Sequence, residues 1–456
     1  MTQERRGEWG SKAGFILAAA GSAVGLGNVW KFPYITGENG GGLFVVIYLV
    51  CIALVGLPIM LGEIMLGRMS QRSPVGAFRK LDGDKSPWQA VGWVGVLAGF
   101  VILSYYSVVA GWALEYTVMA ARGDFAGGDP AAIADRFGEV ATDGTGAILW
   151  HVAFMALTIA IVISGVQKGV ELAARVLMPL LLLMFVALLI YAWTLPGFGE
   201  GFSFVFGFHT DKLGPGSVLE ALGHSFFTLS VGMGAMLTYG SYLRKNDDIV
   251  TAGIAISVLD TVVALMACLV LFPITFSFGM EPTAGPALVF KNIPIAFSQL
   301  PGSTIWAFTF FLLLVFAALT SAISLLEVAA SYFIDELGWS RAVAVPVTGA
   351  AIILLGVPSA LAASSEVFGS GMKEAIGRDW FDLFDYVSSN WMLPLCGLGI
   401  STFAAWKLGD EARRVQFEAG SALGRLEFVY VVWLQVLRWV VPAAIVVIML
   451  HAIGVF

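Results

Sequence analysis

The sequence predicts an all-α polytopic membrane protein of about eleven transmembrane helices, built as a 5+5 inverted repeat with discontinuous helices 1 and 6. Three observations carry this. The 456 residues are 58% hydrophobic and only 12% charged, with mean hydropathy +0.85, whereas soluble domains carry about 25% charge. The apolar runs are long and continuous, suited to helices of about 20 residues and unlike the alternating strands of an outer-membrane barrel. The first and sixth runs are each interrupted near the middle by small and hydroxyl residues. Matched breaks in two halves point to an inverted-repeat transporter with its site at the midplane. Glycines that merely let helices pack closely are the alternative, favoured for a single break and less so for a matched pair flanked by polar side chains.

The spans run roughly 12–38, 43–67, 88–121, 145–165, 170–195, 217–241, 249–279, 305–336, 340–358, 380–408 and 426–455. They form one transporter domain: a first repeat at about 12–195, a second at about 217–408, and an extra C-terminal helix at about 426–455. The first span contains Gly21-Ser22-Ala23-Val24-Gly25-Leu26-Gly27-Asn28, whose glycines each cost a helix about 1 kcal/mol relative to alanine. Loosened backbone survives at membrane depth only when buried in protein or lining a cavity. The second span holds Pro58 and Glu63, and the fifth carries Gly169 ten positions before Pro179, a weak point in that helix. Ser225-Phe226-Phe227-Thr228-Leu229-Ser230-Val231-Gly232-Met233-Gly234 interrupts the sixth. Asp260 lies about eleven residues into the seventh, and Thr320-Ser321 lie inside the eighth. The segment 280–303, with Pro282, Pro286, Pro294 and Pro301, reads as an outer re-entrant or capping loop.

The first run is too long for a signal peptide and lacks a cleavage site. Arg5, Arg6 and Lys12 precede it, Arg68, Arg72, Arg79, Lys80 and Lys85 follow span two, and Lys407, Arg413, Arg414 and Arg425 separate the last two spans. Basic residues mark the cytoplasmic side. The expectation is a multi-pass protein of the inner (cytoplasmic) membrane with its N-terminus inside and, for an odd number of spans, its C-terminus outside. The net charge of −7 reflects the loops. Cys51, Cys268 and Cys396 all fall in apolar spans and read as small core hydrophobes. His151, His209, His224 and His451 show no metal-ligand spacing, and no nucleophile elbow occurs; an enzyme is not expected. No basic stripe suggests nucleic acid, and no obligatory protein partner is evident.

A small hard cation takes oxygens from carbonyls, hydroxyls, amides and carboxylates. The candidates at membrane depth are Asn28, Thr228, Asp260, Thr320 and Ser321. A carboxylate there is expensive and functional by default. Hydroxyls in helices commonly bond back to their own helix, so Thr320-Ser321 alone proves little.

The run from Ala19 through Asn28-Val29-Trp30-Lys31-Phe32-Pro33, then Glu38-Asn39-Gly40-Gly41-Gly42, resembles the signature of the neurotransmitter:sodium symporter family. So do Phe226-Phe227-Thr228-Leu229-Ser230 and Tyr239-Gly240-Ser241-Tyr242. The resemblance covers essentially the whole chain and is nearest to bacterial hydrophobic amino-acid and leucine transporters. It implies a leucine-transporter-like fold and two sodium sites. The first would use Ala23, Asn28, Thr228 and Asp260, completed by the substrate carboxylate; the second Gly21, Val24, Ala317, Thr320 and Ser321. The substrate pocket would comprise Ser22, Ala23, Leu26, Gly27, Ile102, Tyr106, Phe227, Thr228, Ser230, Met233, Ser321 and Leu325.

The family's amine transporters have Asp where this chain has Gly25, so Gly25 implies a true α-amino acid. The apolar lining, with adaptable Met233, implies hydrophobic L-amino acids, aliphatic and extending to aromatic. An outer gate would set Tyr106 over Phe227 with Lys31 bridging to Asp385. Lys31 stands where the family usually has Arg and cannot make a bidentate fork. An inner gate would pair Arg6 with Asp335, supported by Trp9, Ser241 and Tyr242. Gly169 and Pro179 match a family spacing linked to unwinding of span five. Tyr48 is kept from the family's chloride site, but His224 and Asp260 replace its Gln and Asn and Ala264 lies nearby, so a fixed carboxylate would make chloride unnecessary. His224 reads either as a proton carrier or as a neutral core residue. The implied function is a sodium-coupled symporter importing hydrophobic L-amino acids. Its alternatives are a sodium-dependent amino-acid sensor without turnover, or a symporter for another small zwitterionic solute.

Overall fold

Long apolar runs become long helices because, in hydrocarbon, each backbone polar group must be satisfied within its own segment. The computed structural model describes residues 7–208, 212–280 and 288–453. The first span is bent by 51° between α1a (Lys12–Ala23) and α1b (Gly27–Glu38). Then come α2 (Gly42–Ser70), α3 (Gln89–Arg122), α4 (Gly144–Val162) and α5 (Val166–Trp193). The sixth span is two short pieces, α6a (Pro215–Thr228) and α6b (Ala235–Gly240). They are followed by α7 (Ile249–Ser277), α8 (Ser303–Leu337) and α9 (Arg341–Ala360). Last come α10, helical over 380–407, and α11 (Glu427–Ala452). Among the described residues, 8 helices are long and apolar enough to cross a membrane, and the bent pair makes 9. α6 and α10 complete the eleven expected positions. α10 is less apolar than the others, carrying Asp382 and Asp385 in its first turns and Ser388, Ser389 and Asn390 beyond them.

Burial separates the centre from the rim. The apolar windows of α3 and α8 are 78% and 83% buried, whereas those of α4, α5 and α11 are 33%, 28% and 33% buried. The rim helices turn outward side chains such as Leu149, Leu183, Ile190 and Phe428, as lipid-facing helices do. The segment expected to cap one end carries a short apolar helix, Leu288–Ser298; Pro282 and Pro286 lie outside the described residues, as does His209.

Both breaks have local causes. Ser11 caps α1a by accepting the Gly14 N–H at 2.9 Å, and the helix ends where Val24 turns extended (φ −71°, ψ 100°). In the sixth span, Ser230, Gly232 and Gly234 have φ of 52°, 79° and 73°. Glycine takes such angles freely, but serine does so at a cost. Ser230 is held there by its hydroxyl, which donates to the Ser22 carbonyl 2.7 Å away. The two breaks are therefore bonded to each other.

Candidate sodium and substrate site

A small cavity of about 20 Å³ lies between the two breaks, α3 and α8. Its polar end is formed by Ser22, Ala23, Gly25 and Gly27 with Tyr106, Thr228, Ser230 and Ser321; its apolar side by Ile102, Phe227, Met233 and Leu325. Of the expected pocket residues only Leu26 is not in this lining. Its N–H meets the Tyr106 hydroxyl at 3.2 Å, and it faces the larger cavity beyond. Gly25 joins the lining unexpectedly. A Cβ there would lie 2.6 Å from Ser321 Oγ and 3.0 Å from the Tyr106 hydroxyl, so any side chain would fill the space between them.

Beside this cavity, three side chains converge on one carboxylate. Asp260 Oδ1 accepts from Asn28 Nδ2 at 2.7 Å and from Thr228 Oγ1 at 3.0 Å. Oδ2 accepts from Tyr48 at 3.3 Å. Asn28 Oδ1 accepts the Gly25 N–H at 2.9 Å. Asn28 and Asp260 are fully buried and Thr228 nearly so. The Ala23 expected to join them sits at the cavity wall.

A second group of oxygens lies where α8 meets α1a. Ser321 Oγ points at the carbonyls of Ser22 (3.0 Å), Gly21 (3.4 Å) and Ala317 (3.4 Å). Thr320 Oγ1 donates back to Phe316 (3.1 Å) and Ala317 (3.0 Å). Gly21 allows the close approach here, since a Cβ would come within 3.1 Å of Thr320 Cβ. Val24, at the helix end, directs its N–H to Ala20 at 2.7 Å, and its extended ψ turns its carbonyl out of the helical ladder. Among the described residues no three His, Cys, Asp or Glu side chains group together. Neutral oxygens with one carboxylate suit a hard monovalent ion better than a transition metal.

Two broken helices, bonded to each other at their breaks, bring carbonyls, hydroxyls and one carboxylate around a small amphiphilic cavity. The profile of the sodium:neurotransmitter symporter family matches residues 6–127 and 138–456. The chain belongs to that family. It is 38% identical over 464 residues to the sodium-dependent transporter YhdH of Bacillus subtilis (strain 168), covering 100% of this chain and 99% of that one. It is 32% identical to a sodium-dependent transporter of Haemophilus influenzae, covering 98% of both. The crystal structure of MhsT in complex with L-phenylalanine superposes with a TM-score of 0.89 at 41% identity, over 98% of this chain and 100% of MhsT. The protein is thus a sodium-dependent symporter with the leucine-transporter-like fold of its relatives.

On the side opposite the N-terminus, a cavity of about 350 Å³ leads toward the site, walled by Trp30, Lys31, Tyr34, Trp112, Phe227, Phe381 and Asp385 among others. Lys31 and Asp385 both line it but make no ion pair within 4.0 Å in the described structure. The Lys31 ammonium instead lies over the Phe227 ring, 5.3 Å from its centroid. Asp385 Oδ1 accepts from Tyr105 and Ser389, each at 3.0 Å. On the N-terminal side, Arg6 lies outside the described residues. The Asp335 carboxylate expected to pair with it accepts the Ser73 N–H at 2.7 Å. Trp9 is buried, its Nε1 donating to the Tyr239 carbonyl at 2.9 Å and its ring packed edge-on to Tyr239 and Tyr242. The Tyr242 hydroxyl donates to Glu327 at 2.6 Å, and Arg341 grips the same carboxylate.

Two residues near the site had no role assigned in the sequence. Glu63, fully buried on α2, accepts the Gly232 N–H at 2.6 Å and the Leu237 N–H at 3.3 Å, holding the sixth-span break from behind. Its signal was present, since an ionisable residue inside a span is functional by default. Ser324 shares a 2.7 Å hydrogen bond with Ser22 and had no signal beyond helical spacing. His224 stacks on Phe32 and lies tilted against Tyr48, each ring centroid 5.7 Å away, with neither ring nitrogen hydrogen-bonded among the described residues. Tyr48 touches both His224 and Asp260.

Proposed function

We propose that this symporter imports hydrophobic L-amino acids by alternating access, using two sodium ions per binding cycle and no chloride. The observation that carries the substrate reading is the amphiphilic cavity. Its polar end offers the main chain of both breaks and the Tyr106 hydroxyl, while its other walls are aliphatic, thioether and phenyl. The space that Gly25 leaves clear between Tyr106 and Ser321 suits an α-carboxylate, which would complete the ligand shell of the neighbouring ion. MhsT, so similar in fold and sequence, was crystallised with L-phenylalanine.

The first ion would sit among Asp260, Thr228, Asn28 and the Ala23 carbonyl. The Asn28 amide must then present Oδ1 rather than Nδ2, which removes the acceptor of the Gly25 N–H; the substrate carboxylate would replace it. Ion and amino acid would thereby each prepare the site for the other. The second ion would sit among the carbonyls of Gly21, Val24 and Ala317 and the hydroxyl oxygens of Thr320 and Ser321, turning the hydroxyl protons away from Gly21 and Ala317. Chloride is dispensable because Asp260 already places a negative charge beside Tyr48. Basic loops support a cytoplasmic N-terminus, so the side sealed by Trp9 faces the cytoplasm, and Lys31, Asp385, Tyr106 and Phe227 gate the outside.

Reconstituted vesicles test the reading. Leucine, phenylalanine or tryptophan should accumulate under an inward sodium gradient, undiminished when gluconate replaces chloride, and not in potassium. Sodium-dependent binding without accumulation would identify a sensor instead.

A further inference from the structure

The N-terminal end of α1a is held from the side by a carboxylate that the sodium and substrate sites do not use. Glu171, 3% exposed, lies in the opening turn of α5, a wide π-type turn over Val166–Glu171. Its Oε2 accepts the Gly10 N–H at 2.7 Å, and its Oε1 accepts from Ser11 Oγ at 3.4 Å. Arg175 backs the same carboxylate and donates to Ser11 Oγ at 2.7 Å. The fit is close: a Cβ on Gly14 would fall 2.0 Å from Glu171 Oε1. Gly10 directly precedes the Ser11 cap, so the carboxylate grips the chain at the entry to α1a, where a negative charge also complements the helix dipole. The contact continues along the chain, with Gln167 donating to the Glu8 carbonyl at 2.8 Å. On its opposite flank the same segment is fixed by Trp9 to α6b. A void too small to hold a water lies among Ala18, Val170, Ala174, Tyr239, Thr320 and Ile323, between these elements.

We infer that Glu171 is a positioning residue for opening on the N-terminal side. Its carboxylate ties α1a to the first turn of α5, so α1a leaves α6b and α8 only when that turn moves with it or releases it. The hydrogen-bond ladder of this turn is already loosened: Val166–Glu171 is π-type, and Pro179 interrupts the same helix further along. The inference rests on the alternating-access reading.

The test uses the full chain, its native cysteines replaced by alanine, with a single reporter cysteine at Ala18 on the void or at Val109 on the opposite cavity. In sodium, Glu171→Gln should raise labelling of the Ala18 reporter about tenfold, the scale of a lost charge-assisted hydrogen bond, and lower labelling of the Val109 reporter. Glu171→Asp, with a shorter reach, should fall between. If Glu171→Gln fails to fold, Gly14→Ala displaces the carboxylate sterically and should give the same reciprocal change. Unchanged labelling, or a rise at both reporters as in general loosening, would overturn the inference. The readout needs no amino acid, so a chain that fails to accumulate one sinks the transport reading without deciding this one.

Discussion

In the proposed site, Asp260, Gly25 and Met233 would each make a different demand on the cargo, and each can be varied alone. Asp260 is fully buried and accepts hydrogen bonds from Asn28, Thr228 and Tyr48. Asp260→Asn keeps the shape and removes the charge. One charge at contact distance in an effective dielectric of about 20 is worth several kcal/mol, so apparent sodium affinity in a binding assay should fall at least about tenfold. Added chloride should recover part of the loss; recovery by gluconate as well would refute the charge-replacement argument. Gly25→Ala places a methyl 2.6 Å from Ser321 Oγ. Overpacking costs about 1–3 kcal/mol, so the substrate KM should rise about tenfold or more; an unchanged KM would show that the carboxylate does not lie there. Met233 lines the apolar side, and Met233→Phe should weaken competition by tryptophan more than by leucine. Equal competition by the two would count against its role in setting side-chain size.

At the scale of elements, most of the helices were legible because burial in lipid and burial in protein both demand apolar runs, and their lengths follow from the thickness crossed. The 51° bend of the first span was legible from Gly21, Gly25 and Gly27, and the unwound stretch of the sixth from Gly232 and Gly234. The inward-turned geometry of the breaks was not. Ser230 at φ 52° is stabilised by the Ser22 carbonyl, a partner 208 positions away, and no local pattern reveals such a bond. Glu63 was visible as a residue, but its work on Gly232 and Leu237 depends on how α2 packs against the break. That work predicts a phenotype. Glu63→Gln leaves one of the two N–H groups facing an amide NH₂, an unmet buried donor worth about 1–3 kcal/mol. The thermal midpoint of the detergent-purified protein should drop, and substrate affinity with it, because Met233 rides on the same strained turn. A drop in midpoint with affinity intact would confine Glu63 to the scaffold.

For the whole molecule, the two sides differ: a cavity of about 350 Å³ reaches in from the Lys31 side, while Trp9 is buried against Tyr239 and Tyr242 on the other. In the proposed cycle the cargo crosses when this asymmetry reverses, and the charge that crosses with it sets how far uptake can run uphill. A zwitterionic amino acid adds no net charge, and Asp260 stays with the protein, so each sodium contributes one elementary charge. That is about 2.3 kcal/mol per 100 mV, or about 50-fold in accumulation ratio, since each 1.36 kcal/mol is a factor of ten. With both oxygen clusters occupied by ions, a potassium–valinomycin potential of 100 mV should raise the steady-state ratio by about 50-fold squared. A single-charge response would mean that only one cluster carries a transported ion. Thr320→Ala then separates the cases. Its hydroxyl belongs to the cluster without a carboxylate, and its loss should halve the logarithmic voltage slope if that cluster transports sodium. An unaltered slope in Thr320→Ala would assign the transported charge to the Asp260 cluster alone.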